Sequence, residues 1–306
     1  MFIRLGTRSE TSVAALIPNC LTVLALSCGL ASIHFSCKAG ALAAVARWAE
    51  AAGTANHIPA APASGPLWDR ALLFILLSAV FDALDGRAAR LLRVTSKFGA
   101  VLDSLSDFVS FGVAPAIILH EWTLGDQINR GGVHGGNIFG LLAVMTFALC
   151  SGLRLARFTA AVPPAPTERA KHAAKPASSA YFIGMPTPAA AGAVLIPAML
   201  TASPTFNWPI PEWFTIVYTL VIAFLMISRV PMFSLKKIRV SRPFVAPILV
   251  LVGVLVFMMM YDAWLTLSVV AGAYVISIPA AVLANRRSLR SGSHAGQLHA
   301  AAHGDH

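Results

Sequence analysis

With 57% of its 306 residues hydrophobic, 12% charged and a mean hydropathy of +0.72, the chain lies well below the charge fraction of about 25% usual for soluble domains, and reads as an integral membrane protein. Its 23 lysines and arginines against 13 acidic residues leave a net charge of +10. The basic residues flank apolar runs, so the excess points to membrane orientation and anionic lipid, and no nucleic-acid partner is expected. Cys20, Cys28, Cys37 and Cys150 sit in or beside apolar runs without metal-ligand spacing and read as packing residues.

Arg4 and Arg8 precede an apolar run over residues 14–36. The run is too long for the apolar region of a signal peptide, about 7–15 residues, and predicts a first transmembrane helix with its N-terminus inside. Its opening, IPNCLT, places Asn19 and Thr22 three apart, both able to face a cleft. Residues 38–68 are rich in Ala, Pro and Gly and read as an outer connector, too broken for a span, with room for a short amphipathic helix over 40–52. A second span starts near Ala71 and meets Asp82 after eleven residues. At 1.5 Å per residue this is about 16 Å, so the acidic residues that follow lie deep and must line a hydrated cavity.

From Asp82 to Asp107 the chain reads DALDGRAARLLRVTSKFGAVLDSLSD. Asp82 and Asp85 are three apart and Asp103 and Asp107 four apart, so on helices each pair shares a face. Gly86 and Ala89 extend the first stripe, and Gly99 lies one turn before Asp103, leaving room for a ligand to approach the backbone. Carboxylates in a bilayer cost several kcal/mol unless paired, hydrated or metal-bound. Two partners suit them: a salt-bridge net with Arg87, Arg90, Arg93 and Lys97, or a hard divalent cation. Oxygen donors without His or Cys favour Mg2+ or Mn2+ over zinc, and such ions serve phosphates.

The pattern D-x2-D-G-x2-A-R-x8-G-x3-D-x3-D, through Asp82, Asp85, Gly86, Ala89, Arg90, Gly99, Asp103 and Asp107, resembles the signature of the CDP-alcohol phosphatidyltransferases at every position. The resemblance covers 26 residues and does not name the acceptor alcohol. It implies an all-α polytopic membrane helix bundle with two Mg2+ or Mn2+ ions on Asp82, Asp85, Asp103 and Asp107. Asp107 would also be the general base, and Gly86, Ala89, Arg90 and Gly99 would shape the pocket for the CDP moiety together with Asn19 and Thr22. Homodimers are common in that family and are a further expectation.

A third span is expected over residues 100–120, followed by an outer loop, and a fourth over 138–159. The fourth ends in SGLRLARF, with Arg154 and Arg157 on one face, a clamp of phosphate or carboxylate size. GLRLARF and GMPTPAAAG, at residues 184–192, are similar to stretches of phosphatidylserine synthases, as is the Pro-Asn-x-x-Thr opening of the first span. Residues 161–180 read as a cytoplasmic connector. Shorter spans are expected over 188–200, 213–227, 247–261 and 265–283, with a basic stretch containing Arg229, Lys236, Lys237, Arg239 and Arg242. The membrane domain thus occupies residues 1–285, and residues 286–306, with four histidines, read as a disordered polar tail.

If about eight spans alternate from an inside N-terminus, only Lys38, Arg47, Arg70 and Arg130 of the 23 basic residues fall outside. The acidic cleft then opens to the cytoplasm, as expected of an inner-membrane enzyme. The reaction the resemblance implies is transfer of a phosphatidyl group from CDP-diacylglycerol to L-serine with release of CMP. Glycerol phosphate, inositol phosphate or choline would suit the same core as acceptors. A secondary transporter with buried ion-relay carboxylates is the alternative of another class, for which an inverted repeat of the DGxxAR region would speak; none is visible.

Overall fold

The computed structural model describes residues 13–53, 61–92, 94, 96–124, 138–160, 181–206, 210–228, 231–233 and 245–279. They are helical apart from one short strand pair and short turns and connections, and they fall into two compact units. The first unit contains α1 (Val13–Ala51), α2 (Ala61–Leu92), α3 (Lys97–Asp107) and α4 (Ala114–Leu119), with residues 155–159. A π-helical turn, Phe108–Val113, joins α3 to α4, and a second, His120–Leu124, follows α4.

The connector expected over residues 38–68 is largely helix. α1 runs unbroken to Ala51, and α2 begins at Ala61. The reason is composition: AGALAAVARWAEA has no proline and is dominated by the best helix former, while Pro62 falls in the first turn of α2, where its missing N–H costs nothing. At 39 residues α1 is about 58 Å long, well beyond a hydrocarbon core of about 30 Å.

α1 buries a stripe of small and hydroxylated residues at alternating spacings of three and four: Thr22, Ala25, Gly29, Ser32, Ser36 and Ala39. Small side chains let membrane helices approach closely, and hydroxyls then bond across them. Ser32 donates to the carbonyl of Ala71 (2.7 Å), and Ser78 to that of Ala25 (2.8 Å), locking α1 to α2. Ser110, in the first π-helical turn, donates to the same Ala25 carbonyl (3.3 Å). Gly29 meets this turn so closely that a Cβ there would lie 3.0 Å from the Ser110 Cα.

In the second unit, the expected span over 188–200 is broken into α6 (Thr187–Val194) and α7 (Ile196–Ala202). Pro197 has no N–H to offer the carbonyl of Ala193 four residues earlier, which instead accepts from the Tyr218 hydroxyl at 2.8 Å. Tyr218 belongs to α8 (Glu212–Ile227). Residues 138–154 of α5 (Ile138–Ala160), α9 (Val245–Tyr261) and α10 (Ala263–Pro279) complete the helices of this unit.

Asp262 separates α9 from α10 and caps α10, accepting from the Leu265 N–H at 3.0 Å. It also accepts from the Ser203 hydroxyl and the Thr205 N–H. Burial opposes its ionisation, yet these donors hold its carboxyl below the usual range. Sequence analysis also missed strand β1 (Tyr181–Ile183), which pairs antiparallel with β2 (Pro231–Phe233), Phe182 opposite Met232.

Leu16–Ala46, Phe98–Trp122 and Ile138–Arg157 are long and apolar enough to cross a bilayer, and Glu212–Ile227, Ala246–Tyr261 and Ala263–Pro279 are shorter apolar helices. In α2 the uncharged run is only Ala71–Phe81, bounded by Arg70 and Asp82. The architecture is that of a membrane helix bundle. The basic residues on either side of β2, the loops over 125–137 and 161–180, and the tail lie outside the described residues.

Candidate active site

α2 ends at Leu92 and α3 starts at Lys97, so the chain turns back within a few residues. Ser96 makes this return possible: its backbone is extended, and its hydroxyl accepts from the Gly99 N–H at 2.9 Å, capping α3. The turn brings the end of α2 beside the start of α3. Asp82, Asp85 and Asp103 each present one carboxylate oxygen, all within 4.8 Å of one another. Asp107 joins them, its carboxyl within hydrogen-bonding reach of that of Asp82, while its Oδ1 is buried with no donor.

Among the described side chains neither Arg87 nor Arg90 pairs with any of the four aspartates, and Arg93 and the side chain of Lys97 lie outside the described residues. Arg90 lies along its own helix, its Nε donating to the carbonyl of Gly86 at 2.8 Å. Four carboxyl groups gathered together, one of their oxygens lacking a donor among the described residues, form a hard-oxygen donor set that fits Mg2+ or Mn2+.

Thr22 and Asn19 both reach this region. The Thr22 hydroxyl donates to Asp85 Oδ2 at 2.6 Å. Asn19 approaches α3 at Gly99, where a Cβ would lie 2.9 Å from the Asn19 Oδ1 and 3.0 Å from the Ser96 Oγ. The two signature glycines therefore differ. The space at Gly99 is taken by Asn19 and Ser96, whereas a Cβ at Gly86 would meet nothing within 4 Å, leaving that stretch of α2 backbone open to a ligand. Ala89, half-buried, lies one turn further along the same helix.

Arg157 is exposed and belongs to the unit of the aspartates. Arg154, in the second unit, donates from Nη1 to the Thr187 hydroxyl at 2.8 Å. That bond joins two stretches singled out separately in the sequence, GLRLARF and GMPTPAAAG. Gly184, with φ of 80° and its Cα facing the carbonyls of Met226 and Ser228, bends the second stretch into α6. Sequence reasoning missed Ser96, Ser106 and Thr187; only Ser96, a serine three residues before a glycine at a helix start, carried a local signal.

A profile of the CDP-alcohol phosphatidyltransferase family matches residues 15–224. A Mycobacterium leprae protein named CDP-diacylglycerol–serine O-phosphatidyltransferase is 29% identical over 273 residues, which make up 87% of this chain and 74% of the relative. A Helicobacter pylori protein of the same name is 32% identical over 202 residues, 66% of this chain and 75% of the relative. A Saccharomyces cerevisiae protein, again so named, is 41% identical over 126 residues, 41% of this chain and 40% of the relative.

Proposed function

Because the chain belongs to the CDP-alcohol phosphatidyltransferase family, we infer that it transfers the phosphatidyl group of CDP-diacylglycerol to L-serine, giving phosphatidylserine and CMP. The gathering of Asp82, Asp85, Asp103 and Asp107 into one cluster is the observation that carries the chemistry. The choice of serine draws its support from the names of relatives matched over most of the chain, and from the meeting of the two synthase-like stretches at Arg154 and Thr187.

The four aspartates are the residues that would hold two Mg2+ or Mn2+ ions, which when bound neutralise the diphosphate and stabilise the leaving CMP. Asp107 takes the proton of the serine hydroxyl as that oxygen bonds to the lipid-bearing phosphorus. The bond from this phosphorus to the CMP oxygen breaks in the same displacement, so no covalent enzyme intermediate is needed. The open backbone at Gly86, with Ala89 and Arg90, receives the CDP moiety, and Gly99 and Asn19 build the neighbouring wall. Arg154 and Arg157 are each assigned to an anionic group of a substrate, a phosphate or the serine carboxylate.

The site is assigned to the cytoplasmic side of the inner membrane. Trp68 and Trp122 pack edge to face, centroids 4.7 Å apart, and this pair is assigned to one membrane interface. Asp82 lies 14 residues from Trp68 along α2, about 21 Å, which in a core of about 30 Å is the opposite leaflet. The basic residues favour that leaflet as the inner one.

Purified protein given CDP-diacylglycerol and serine should form phosphatidylserine and CMP in equal amounts by mass spectrometry, and EDTA should stop both. CMP release that continues unchanged in EDTA would overturn the metal-assisted reading, and a serine-independent rate equal to the serine-dependent one would overturn the acceptor.

A further inference from the structure

We propose that Thr22 and Ser106 form a positioning relay that fixes the carboxylate of Asp85, so that Thr22 acts on a bound metal through Asp85 and not on the CDP moiety. The proposal rests on the acidic cluster being a metal site, as read above. Thr22, Ser106 and Asp85 are 4%, 3% and 5% exposed, so none of the three forms an open pocket wall. They belong to α1, α3 and α2, and one run of hydrogen bonds connects them. Ser106 Oγ donates to the Thr22 carbonyl at 3.3 Å, and Thr22 Oγ1 donates to Asp85 Oδ2 at 2.6 Å.

The ordinary use of a hydroxyl in a membrane helix is a bond to the carbonyl four residues earlier, as Ser27, Thr146 and Thr219 make here. Thr22 has that option, with the Pro18 carbonyl at 3.0 Å, but it has one proton and the carboxylate is nearer. A bond of 2.6 Å is at the short end of hydroxyl–carboxyl hydrogen bonds. Of the described hydroxyls in α1, only Thr22 reaches a carboxylate; Ser32 bonds a backbone carbonyl across the helix pair and is accounted for by packing.

The final torsion of an aspartate is broad, so the carboxylate plane of Asp85 is set by what bonds it. Thr22 bonds one oxygen and the Gly86 N–H adds a backbone donor to the same carboxylate, and together they fix the plane in which it would meet a cation. Ser106 sits between Asp103 and Asp107 in sequence, so its bond to Thr22 keeps α1 in register with the helix that supplies those two aspartates. Outer-shell partners of this type are typically worth about 10–100-fold in metal affinity.

The test is a Mn2+ titration of the purified full chain, followed by electron paramagnetic resonance without lipid substrate. Wild type binds Mn2+; Thr22→Val, which keeps the shape but not the hydroxyl, should bind about 10–100-fold more weakly, and Thr22→Ser should restore binding. At saturating Mn2+, the KM of Thr22→Val for CDP-diacylglycerol should return to the wild-type value. Unchanged Mn2+ affinity in Thr22→Val would overturn the relay, as would a raised lipid KM at saturating Mn2+ with metal affinity intact, which would make Thr22 a substrate contact. Failure of wild type to bind Mn2+ would overturn the metal site itself. If Thr22→Val does not fold, Ser106→Ala carries the test, with a Mn2+ loss at the low end of the same range expected and wild-type affinity refuting the relay.

Discussion

Replacing Asp107 with asparagine separates what this residue does for the reaction from what it costs the fold. Its carboxyl lies within hydrogen-bonding reach of Asp82, and its Oδ1 is buried with no donor. Two carboxyls at this distance must share a proton, whereas an amide of the same shape keeps the bond by donating an N–H to Asp82 without needing one. Without metal the Asp107→Asn protein should therefore be at least as stable as wild type, and a gain of about 1 kcal/mol would raise Tm by about 2–4 °C. The same change abolishes the proposed base. General-base catalysis contributes typically about 10²–10⁴-fold, so kcat should fall by about 2.7–5.4 kcal/mol of transition-state stabilisation. Thermal unfolding in EDTA and phosphatidylserine formation at saturating Mn2+ read the two effects independently. Turnover within about threefold of wild type at saturating metal would refute the base assignment, and a lower Tm in EDTA would refute the account of the cluster as strained without its cation.

Asp103→Asn should abolish activity while leaving a folded protein, and its Mn2+ affinity should fall where that of Asp107→Asn is better preserved; near-normal turnover would contradict the metal reading. Arg154→Lys and Arg157→Lys keep the charge but lose the planar fork, so activity should drop with membrane insertion intact. A raised KM for serine alone assigns the arginine to the carboxylate, and a raised KM for CDP-diacylglycerol alone assigns it to a phosphate. Gly29→Ala places a Cβ 3.0 Å from the Ser110 Cα, so α1 and the π-helical turn must separate. A cost of about 1–3 kcal/mol is expected, read as a lowered Tm, and an unchanged Tm would contradict the close packing.

The gathering of the four aspartates was legible in the sequence because they lie within one stretch of 26 residues, on two helices joined by a short return, and helical periodicity alone puts each pair on one face. Asn19 and Thr22 were legible as residues able to face the cleft, but not in their separate attachments. Their contacts with Gly99 and Asp85 span far more of the chain than local periodicity reaches. The unbroken α1 was hidden because residues 38–51 mix alanine with glycine and charge, a composition shared by helices and linkers and decided by the absence of proline. Asp262 carried an unused signal: an isolated aspartate between two apolar runs is where a cap is expected. The break at Leu195 was half legible, since Pro197 announces a lost hydrogen bond, but nothing local says that Tyr218 supplies the replacement.

The most direct test of the central claim is an acceptor comparison with the purified chain, CDP-diacylglycerol and Mn2+, in which L-serine, glycerol phosphate and inositol phosphate are offered separately and the lipid products are weighed. Phosphatidylserine should form at a rate well above that of either phosphorylated acceptor, and only with metal present. A product from glycerol phosphate or inositol phosphate in preference to serine would contradict the account.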